Sequence, residues 1–93
     1  MSNNVVAITG GAKGIGKAIA LALADKKWTI AICYRTSEDA ALETVKEIEE
    51  KGSTAIAIQC DVSDPDLAIQ FVHDVERAFG HIDALINCAG PYH

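Results

Sequence analysis

A glycine-rich segment between an apolar run and a helical pattern constrains the fold of this chain more than any other feature. Residues 9–16 have the spacing Thr-Gly-x-x-x-Gly-x-Gly. The continuous apolar run 5–8 before them is typical of a strand buried on both faces. After them, apolar residues recur at helical spacing up to about Lys26, and these are Ile15, Ala18, Ile19, Ala22 and Leu23. The chain therefore begins with a strand, a tight turn and a helix.

Three more strands and two more helices are predicted downstream, in alternation. Runs of apolar and β-branched residues predict strands at 28–34, 54–60 and 84–87. Thr36 or Ser37 can cap the helix between the second and third strands, and Gly52 is placed to end it. One face of this helix carries Ala41, Val45 and Ile48.

The third helix has the strongest start signal in the sequence. Ser63 offers a hydroxyl at the N-cap, a carboxylate follows three residues later, and Pro65 lies in the first turn. The buried stripe is predicted to consist of Ala68, Phe71, Val72, Val75, Ala78 and Phe79. Ile69 falls outside that stripe, and Gly80 ends the helix.

The order β-α-β-α-β-α-β predicts an α/β fold with a doubly wound parallel sheet. Right-handed crossovers place the helices on both faces of such a sheet. We expect the strand order 3-2-1-4, with the topological switch beside the first strand. A chain of 93 residues suffices for one small domain.

Composition excludes several classes of function. The formal net charge is −5 and no basic patch is present, which argues against nucleic-acid binding. No run approaches the roughly 18 apolar residues of a membrane span, and no basic region precedes an apolar core at the N-terminus. We therefore expect a cytoplasmic protein without a membrane partner.

The cysteines do not form a metal-binding or disulfide pattern. Cys33, Cys60 and Cys88 are widely spaced and lie in or just after predicted strands, so we interpret them as reduced thiols of the core. The three histidines also lack the spacing of metal ligands, so no metal is expected.

The glycine-rich segment has the properties of a phosphate-binding loop. A pyrophosphate at this position needs a turn without Cβ atoms, outward N–H groups and the positive end of a helix dipole. Gly10 can supply the turn, Gly14 the close approach of the ligand, and Gly16 tight packing of the helix on the strand. Glycines also serve helix starts and turns for structural reasons alone, and this alternative stays open from the loop by itself.

Three further motifs occur in order behind this loop. Asp61-Val62 follows the third strand, the segment 82–86 leads the fourth, and Asn87-Cys88-Ala89-Gly90 ends it. With them, the whole chain resembles the short-chain dehydrogenase/reductase family, and most closely its 3-oxoacyl-acyl carrier protein reductases. The resemblance implies a Rossmann-type fold. Cys88 departs from the pattern, because the family usually has a second asparagine there.

The resemblance implies a set of cofactor-binding residues. Those around the pyrophosphate and the adenosine ribose would be Gly10, Lys13, Gly14, Ile15 and Gly16. Asp61 and Val62 would flank the adenine, and the carboxylate would accept a hydrogen bond from its exocyclic amine. From the fourth strand, Asn87, Ala89 and Gly90 would border the cofactor. Each of these residues, taken singly, also has an ordinary role in a turn or at a strand end.

Charge at the end of the second strand favours NADP(H) over NAD(H). An NAD site places a carboxylate there to bind the ribose diol, whereas this chain has Arg35. The guanidinium offers planar donors to a 2′-phosphate, and Lys13 adds a second positive charge. In the alternative, Arg35 is only a solvated loop cation.

The resemblance also implies an oxidoreductase that acts on a carbonyl/alcohol pair, with 3-oxoacyl thioesters as one candidate. Its Tyr-x-x-x-Lys pair does not occur here, because Glu38 stands four residues after Tyr34 and only His93 follows Tyr92. No serine follows Ser63. We therefore expect the chain to be the N-terminal, cofactor-binding half of one Rossmann domain, without its catalytic half and inactive alone.

In the predicted strand order the fourth strand is an edge, which favours self-association or a homo-oligomer. Two alternatives to the enzyme fragment remain. One is a non-catalytic module that binds adenine nucleotides, and the other is an interaction subunit that a partner chain completes.

Overall fold

The computed structural model describes residues 4–12 and 14–88 and contains seven alternating elements. They are β1 (Val5–Thr9), α1 (Gly14–Asp25), β2 (Thr29–Tyr34), α2 (Glu38–Glu50), β3 (Ala55–Gln59), α3 (Pro65–Phe79) and β4 (Ala84–Asn87). The predicted alternation is confirmed, and β4 has the predicted bounds.

The four strands form one parallel sheet in the order β3-β2-β1-β4, as predicted. Thr9 at the end of β1 is in register with Cys33 of β2 on one side and Asn87 of β4 on the other. On the outer side of β2, Tyr34 is in register with Gln59 of β3. Because the strands are parallel, their carboxyl ends meet at a single edge of the sheet, which we call the carboxyl edge.

The sheet separates two apolar cores. Helices α1 and α2 cover one face, where Val6 and Ile8 of β1 are fully buried. Helix α3 covers the other face, where Val5 and Ala7 pack with Phe71. Since successive side chains of a strand point to opposite faces, the continuous apolar run of β1 fills both cores.

The buried face of α1 only partly follows the apolar residues that recur at helical spacing in the sequence. Its buried residues are the small ones Gly16, Ala20 and Ala24, whereas Ile15 is 76% exposed. Ala18 and Ala22 of the apolar pattern are exposed as well, whereas Ile19 and Leu23 are half-buried and pack against the core. Small residues at a spacing of four let the helix backbone approach the sheet closely, so this contact favours small side chains over the most apolar ones.

The N-terminal caps also differ in detail from the prediction. Ser37 occupies the N-cap position of α2 without a side-chain cap hydrogen bond. At α3 the cap is Asp64 and not Ser63, because Asp64 Oδ1 accepts a hydrogen bond from the N–H of Asp66 at 2.9 Å. A carboxylate next to the first turn also interacts favourably with the helix dipole.

The predicted glycine stops are confirmed. Gly52 and Gly80 have φ angles of 88° and 90°, the left-handed conformation that ends many helices. Within α3, Phe71 and Val75 are buried, and Ile69 lies outside the buried stripe as predicted. Ala78 is exposed rather than buried, because it falls at the margin of the stripe near the end of the helix.

Three further predictions concern membrane spans, thiols and metals. In residues 4–12 and 14–88, no helix combines the length and the hydropathy that crossing a membrane requires. Cys33 and Cys60 are buried thiols, and the side chain of Cys88 is half-buried. The same residues contain no cluster of three or more histidine, cysteine and acidic side chains suited to a metal ion.

Candidate functional site

A groove of about 780 Å³ lies along the carboxyl edge of the sheet. It brings together five of the predicted cofactor-binding residues, Gly10, Arg35, Asp61, Val62 and Asn87. They come from the ends of four different strands or the loops after them, so only the parallel fold unites them. The volume is in the range of small-molecule sites in proteins, which are roughly 300–1,000 Å³.

The glycine-rich loop forms one end of this region. Gly10 has a φ of 74° and its N–H donates to the Cys33 carbonyl at 3.1 Å, which ties the loop to β2. Gly14 at the start of α1 has a φ of 62°, and a Cβ placed there would meet no atom within 4 Å. The backbone at Gly14 is therefore open to a ligand, in a conformation that L side chains rarely adopt.

Gly16 and Gly11 serve packing inside the same loop. A Cβ on Gly16 would lie 2.3 Å from the carbonyl oxygen of Gly10, and one on Gly11 would lie 2.5 Å from Cγ2 of Ile32. Larger residues at either position would push the loop away from α1 or from the sheet. The requirement for glycine at position 11 is not visible in the sequence, because a motif spacing does not show what a Cβ would contact.

Asp61 is held in a turn at the rim of the groove. Its Oδ1 accepts hydrogen bonds from the Ser63 hydroxyl at 2.6 Å and from the Ser63 N–H at 3.0 Å. These two bonds lower the pKa of the Asp61 carboxyl, with a smaller contribution from the positive charge of Arg35. The carboxylate is therefore ionised at neutral pH and can accept hydrogen bonds from a ligand.

Arg35 follows β2 directly and is exposed. Its carbonyl accepts a hydrogen bond from the Gln59 side-chain amide at 3.2 Å, which links the loops after β2 and β3. Within the described part of the chain, Arg35 is the basic residue that lines the groove. It can therefore attract an anionic ligand at this end.

Thr9 connects the ends of β1 and β4. Its hydroxyl donates to Asn87 Oδ1 at 2.8 Å and accepts from the Cys88 N–H at 3.1 Å. These contacts fix the amide group of Asn87 beside the groove. In the sequence motif Thr9 has no role of its own, although its position at the end of a buried strand is a usable signal.

An apolar wall completes the groove on the α3 side. It consists of Ala68, Phe71 and Val72 from α3 and Leu85 from β4. The sequence pattern predicted that the helical residues belong to the core, but not that they also line a groove. An apolar wall next to a charged rim suits a flat, partly apolar ring system.

Neither thiol in the groove is a nucleophile at neutral pH. Cys33 Sγ donates to the Cys60 carbonyl at 3.5 Å, and Cys60 Sγ donates to the Leu67 carbonyl at 3.1 Å. Burial raises the pKa of Cys33 to about 11 and also raises the pKa of Cys60. Both thiols stay protonated, so their contribution is to packing.

Tyr34 does not offer acid–base chemistry near neutral pH either. Partial burial and the neighbouring Glu38 carboxylate raise the pKa of its phenol, and the hydroxyl donates to Glu38 Oε2 at 3.4 Å. The phenol of Tyr34 therefore stays protonated near neutral pH.

Three predicted site residues lie outside the described part of the chain, namely Lys13, Ala89 and Gly90. Gly14, Ile15 and Gly16 lie in the first turn of α1 and do not line the groove itself. The structure thus brings Gly10, Arg35, Asp61, Val62 and Asn87 together in the groove and places Gly14, Ile15 and Gly16 at the start of α1.

Comparison with known proteins finds a matching family model and similar proteins of that family. The family model of the short chain dehydrogenases matches residues 4–93. The chain is 39% identical over 88 residues to 3-oxoacyl-(acyl-carrier-protein) reductase FabG of Staphylococcus epidermidis, an alignment that includes 95% of this chain and 36% of that protein. The chain thus spans about a third of the length of this relative.

Solved structures give the same result. A dehydrogenase/reductase from Sinorhizobium meliloti superposes with a TM-score of 0.94 at 35% identity, over 100% of this chain and 37% of that one. A dehydrogenase from Burkholderia cenocepacia, solved with bound NADP, superposes with a TM-score of 0.88 at 32% identity, over 92% of this chain and 34% of that one.

Proposed function

The chain belongs to the short chain dehydrogenase family, and on that premise we propose that its groove binds the adenosine end of a nicotinamide dinucleotide, NADP(H) in preference to NAD(H). The observation that carries this proposal is the convergence of Gly10, Arg35, Asp61 and Asn87 on one groove. These residues lie far apart in sequence, and the sequence motifs predict a cofactor contact for each of them. A structural role at each position separately would not require them to share a groove.

The loop geometry fits the proposed ligand. A pyrophosphate must approach the backbone at a helix start, and the open surface at Gly14 permits that approach. The residues proposed to surround the pyrophosphate and ribose are Gly10, Lys13, Gly14, Ile15 and Gly16. The start of α1 carries no acidic side chain in its first turn, so no local charge opposes an anion.

The adenine is proposed to lie between the rim and the apolar wall. Both hydrogen bonds from Ser63 end on Oδ1 of Asp61, and we assign Oδ2 to the exocyclic amine of adenine. Val62 would flank the ring. On the β4 side, Asn87, Ala89 and Gly90 would border the cofactor, with the Asn87 amide fixed by Thr9.

The preference for NADP(H) rests on the charge of Arg35. A guanidinium can bind a 2′-phosphate in a bidentate manner, whereas the ribose diol of NAD(H) calls for a carboxylate at this position. Lys13 would add a second positive charge. The bound NADP of the Burkholderia cenocepacia dehydrogenase shows that a fold of this kind accepts the phosphorylated cofactor in that protein.

We assign the chain to the N-terminal, cofactor-binding half of a single Rossmann-type domain. The bound cofactor would supply a hydride for a carbonyl/alcohol pair, and the FabG similarity makes 3-oxoacyl thioesters the substrate class to test. These 93 residues include neither the Tyr-x-x-x-Lys pair nor a later serine. The 93-residue chain by itself would therefore bind the cofactor without turnover. A cytoplasmic location and a homo-oligomer belong to the same proposal.

Thermal unfolding with NADPH, NADH or no ligand tests the binding proposal. A ligand at about 100 times its Kd stabilises a folded chain by about 2.7 kcal/mol, so NADPH should raise the Tm clearly and more than NADH. An activity assay on the same sample should show no turnover. Absence of a Tm shift with both cofactors would contradict the binding proposal. Turnover would contradict the proposal that these 93 residues bind the cofactor without catalysing the reaction.

The variant Arg35→Asp tests the cofactor preference. Loss of a charged hydrogen bond costs about 1.5–3 kcal/mol, so affinity for NADPH should fall roughly 10- to 100-fold and the preference should shift to NADH. Lys26→Asp makes the same change of charge at the end of α1, away from the groove, and should keep the preference for NADPH. An unchanged preference in Arg35→Asp would refute the role of Arg35.

A further inference from the structure

A fully buried hydroxyl in α2 contacts the glycine-rich loop. Thr44 is 0% exposed, and its Oγ1 lies 3.0 Å from the carbonyl oxygen of Ala12 and 2.9 Å from that of Ala40. The contact with Ala40 is the usual one for a threonine inside a helix, which bonds back to the carbonyl four residues earlier, and the single hydroxyl proton is shared between that carbonyl and the carbonyl of Ala12. The contact with Ala12 spans 32 positions in sequence and joins α2 to the loop.

This contact attaches the loop to α2, in addition to its attachment to β2. The N–H of Gly10 fixes one end of the loop on β2, and at the other end Gly16 lies so close to the Gly10 carbonyl that there is no room for a Cβ. Thr44 acts on the segment between them. Ala12 itself is 6% exposed, so a carbonyl that lost the Thr44 hydroxyl would have little access to water.

The orientation of the Ala12 carbonyl matters for an anionic ligand. A carbonyl oxygen carries partial negative charge and would repel a phosphate if it turned toward the outer surface of the loop. Bonding to the Thr44 hydroxyl keeps this oxygen directed toward α2. Replacement of the hydroxyl by a methyl group would leave a buried carbonyl without its donor, which favours a rearranged loop.

We infer that Thr44 is a positioning residue for the pyrophosphate-binding loop, acting through the carbonyl of Ala12. This inference deepens the proposed cofactor function and depends on it. Thr44 does not touch the ligand, so its effect should appear only for ligands that use the loop. Sequence reasoning did not single out Thr44, because a threonine within an amphipathic helix has no distinctive pattern.

Three variants and two ligands separate positioning from general stability. Thr44→Val keeps the shape and removes the hydroxyl, Thr44→Ser keeps the hydroxyl, and Ile48→Val trims a fully buried side chain one turn further along α2. The ligands are NADP⁺, which carries the pyrophosphate, and adenosine 2′-monophosphate, which does not. Isothermal titration calorimetry on the complete 93-residue chain gives the dissociation constants, and circular dichroism gives the Tm of each variant.

Thr44→Val should weaken NADP⁺ binding roughly three- to tenfold, as expected for one hydrogen bond, while binding of adenosine 2′-monophosphate stays unchanged. Thr44→Ser should restore the wild-type affinity for NADP⁺. Ile48→Val should lower the Tm without changing the affinity for either ligand.

Other outcomes would overturn the inference. Equal NADP⁺ binding by wild type and Thr44→Val would show that the hydroxyl does not position the loop. An equal loss for both ligands would show a structural role only. Failure of the wild type to bind either ligand would contradict the proposed function as well, and this outcome is distinguishable because it occurs before any substitution.

Discussion

Two side chains of the same groove have pKa values shifted in opposite directions, and in each case the cause is a neighbouring group or burial. Hydrogen bonds from Ser63 lower the pKa of the Asp61 carboxyl, whereas burial raises the pKa of the Cys33 thiol to about 11. Asp61 lies at the rim and Cys33 lies at the end of the central strand β2. The groove therefore combines an ionised acceptor at its rim with a neutral interior.

The thiol of Cys33 predicts a stability change at alkaline pH. Its pKa rises from about 9 in the unfolded chain to about 11 in the folded protein, so its stabilising contribution is complete below pH 9 and is lost as the pH rises toward 11. Cys33→Ala removes this dependence. Urea unfolding at pH 7.5, 9.0 and 10.5 should show wild type losing on the order of 1 kcal/mol relative to the variant. Parallel pH profiles would contradict the assignment.

Some residues of the site can be predicted from the sequence and others cannot. Gly10, Arg35, Asp61 and Asn87 could be selected because motifs and strand ends are visible in a sequence. Thr44 could not, since its contact with the loop depends on the packing of α2. The cap of α3 was assigned to Ser63 rather than Asp64, because several oxygen-bearing side chains lie within a few residues of the helix start and only geometry chooses among them.

At the scale of elements, alternation and order followed from periodicity and from the handedness of crossovers. The buried face of α1 did not follow fully from periodicity, because close packing on the sheet favours the small residues Gly16 and Ala20 over Ile15. Among the described residues, β3 and β4 are the two edge strands, since each pairs with one neighbour. On β4, Leu85 is 57% exposed, so this edge presents an apolar side chain.

The exposed edge predicts concentration-dependent self-association of the 93-residue chain through β4. Leu85→Lys should suppress it, because a charge on an edge strand opposes pairing with a second edge. Leu42→Lys is the matched control, since Leu42 is 55% exposed on α2 and away from this edge. Sedimentation velocity should give association for wild type and Leu42→Lys, and a monomer for Leu85→Lys. A monomeric wild type at high concentration would exclude this interface.

At the scale of the whole molecule, the parallel sheet is what makes a site from distant residues. Strand β1 lies between β2 and β4, so the carboxyl ends of these three strands lie together beside the glycine-rich loop. The apolar wall from α3 adds surface that the sequence pattern assigned to the core alone. The fold could be predicted because it follows from periodic patterns, whereas the depth and lining of the groove depend on how the layers pack.

The most direct test of cofactor binding at the carboxyl edge is a nuclear magnetic resonance titration of the ¹⁵N-labelled chain with NADP⁺. The largest amide shifts should fall on Gly10, Gly14, Asp61 and Asn87, and residues at the opposite edge of the sheet, such as Asp83, should change little. Absence of shifts, or shifts centred on the opposite edge, would contradict the proposed site.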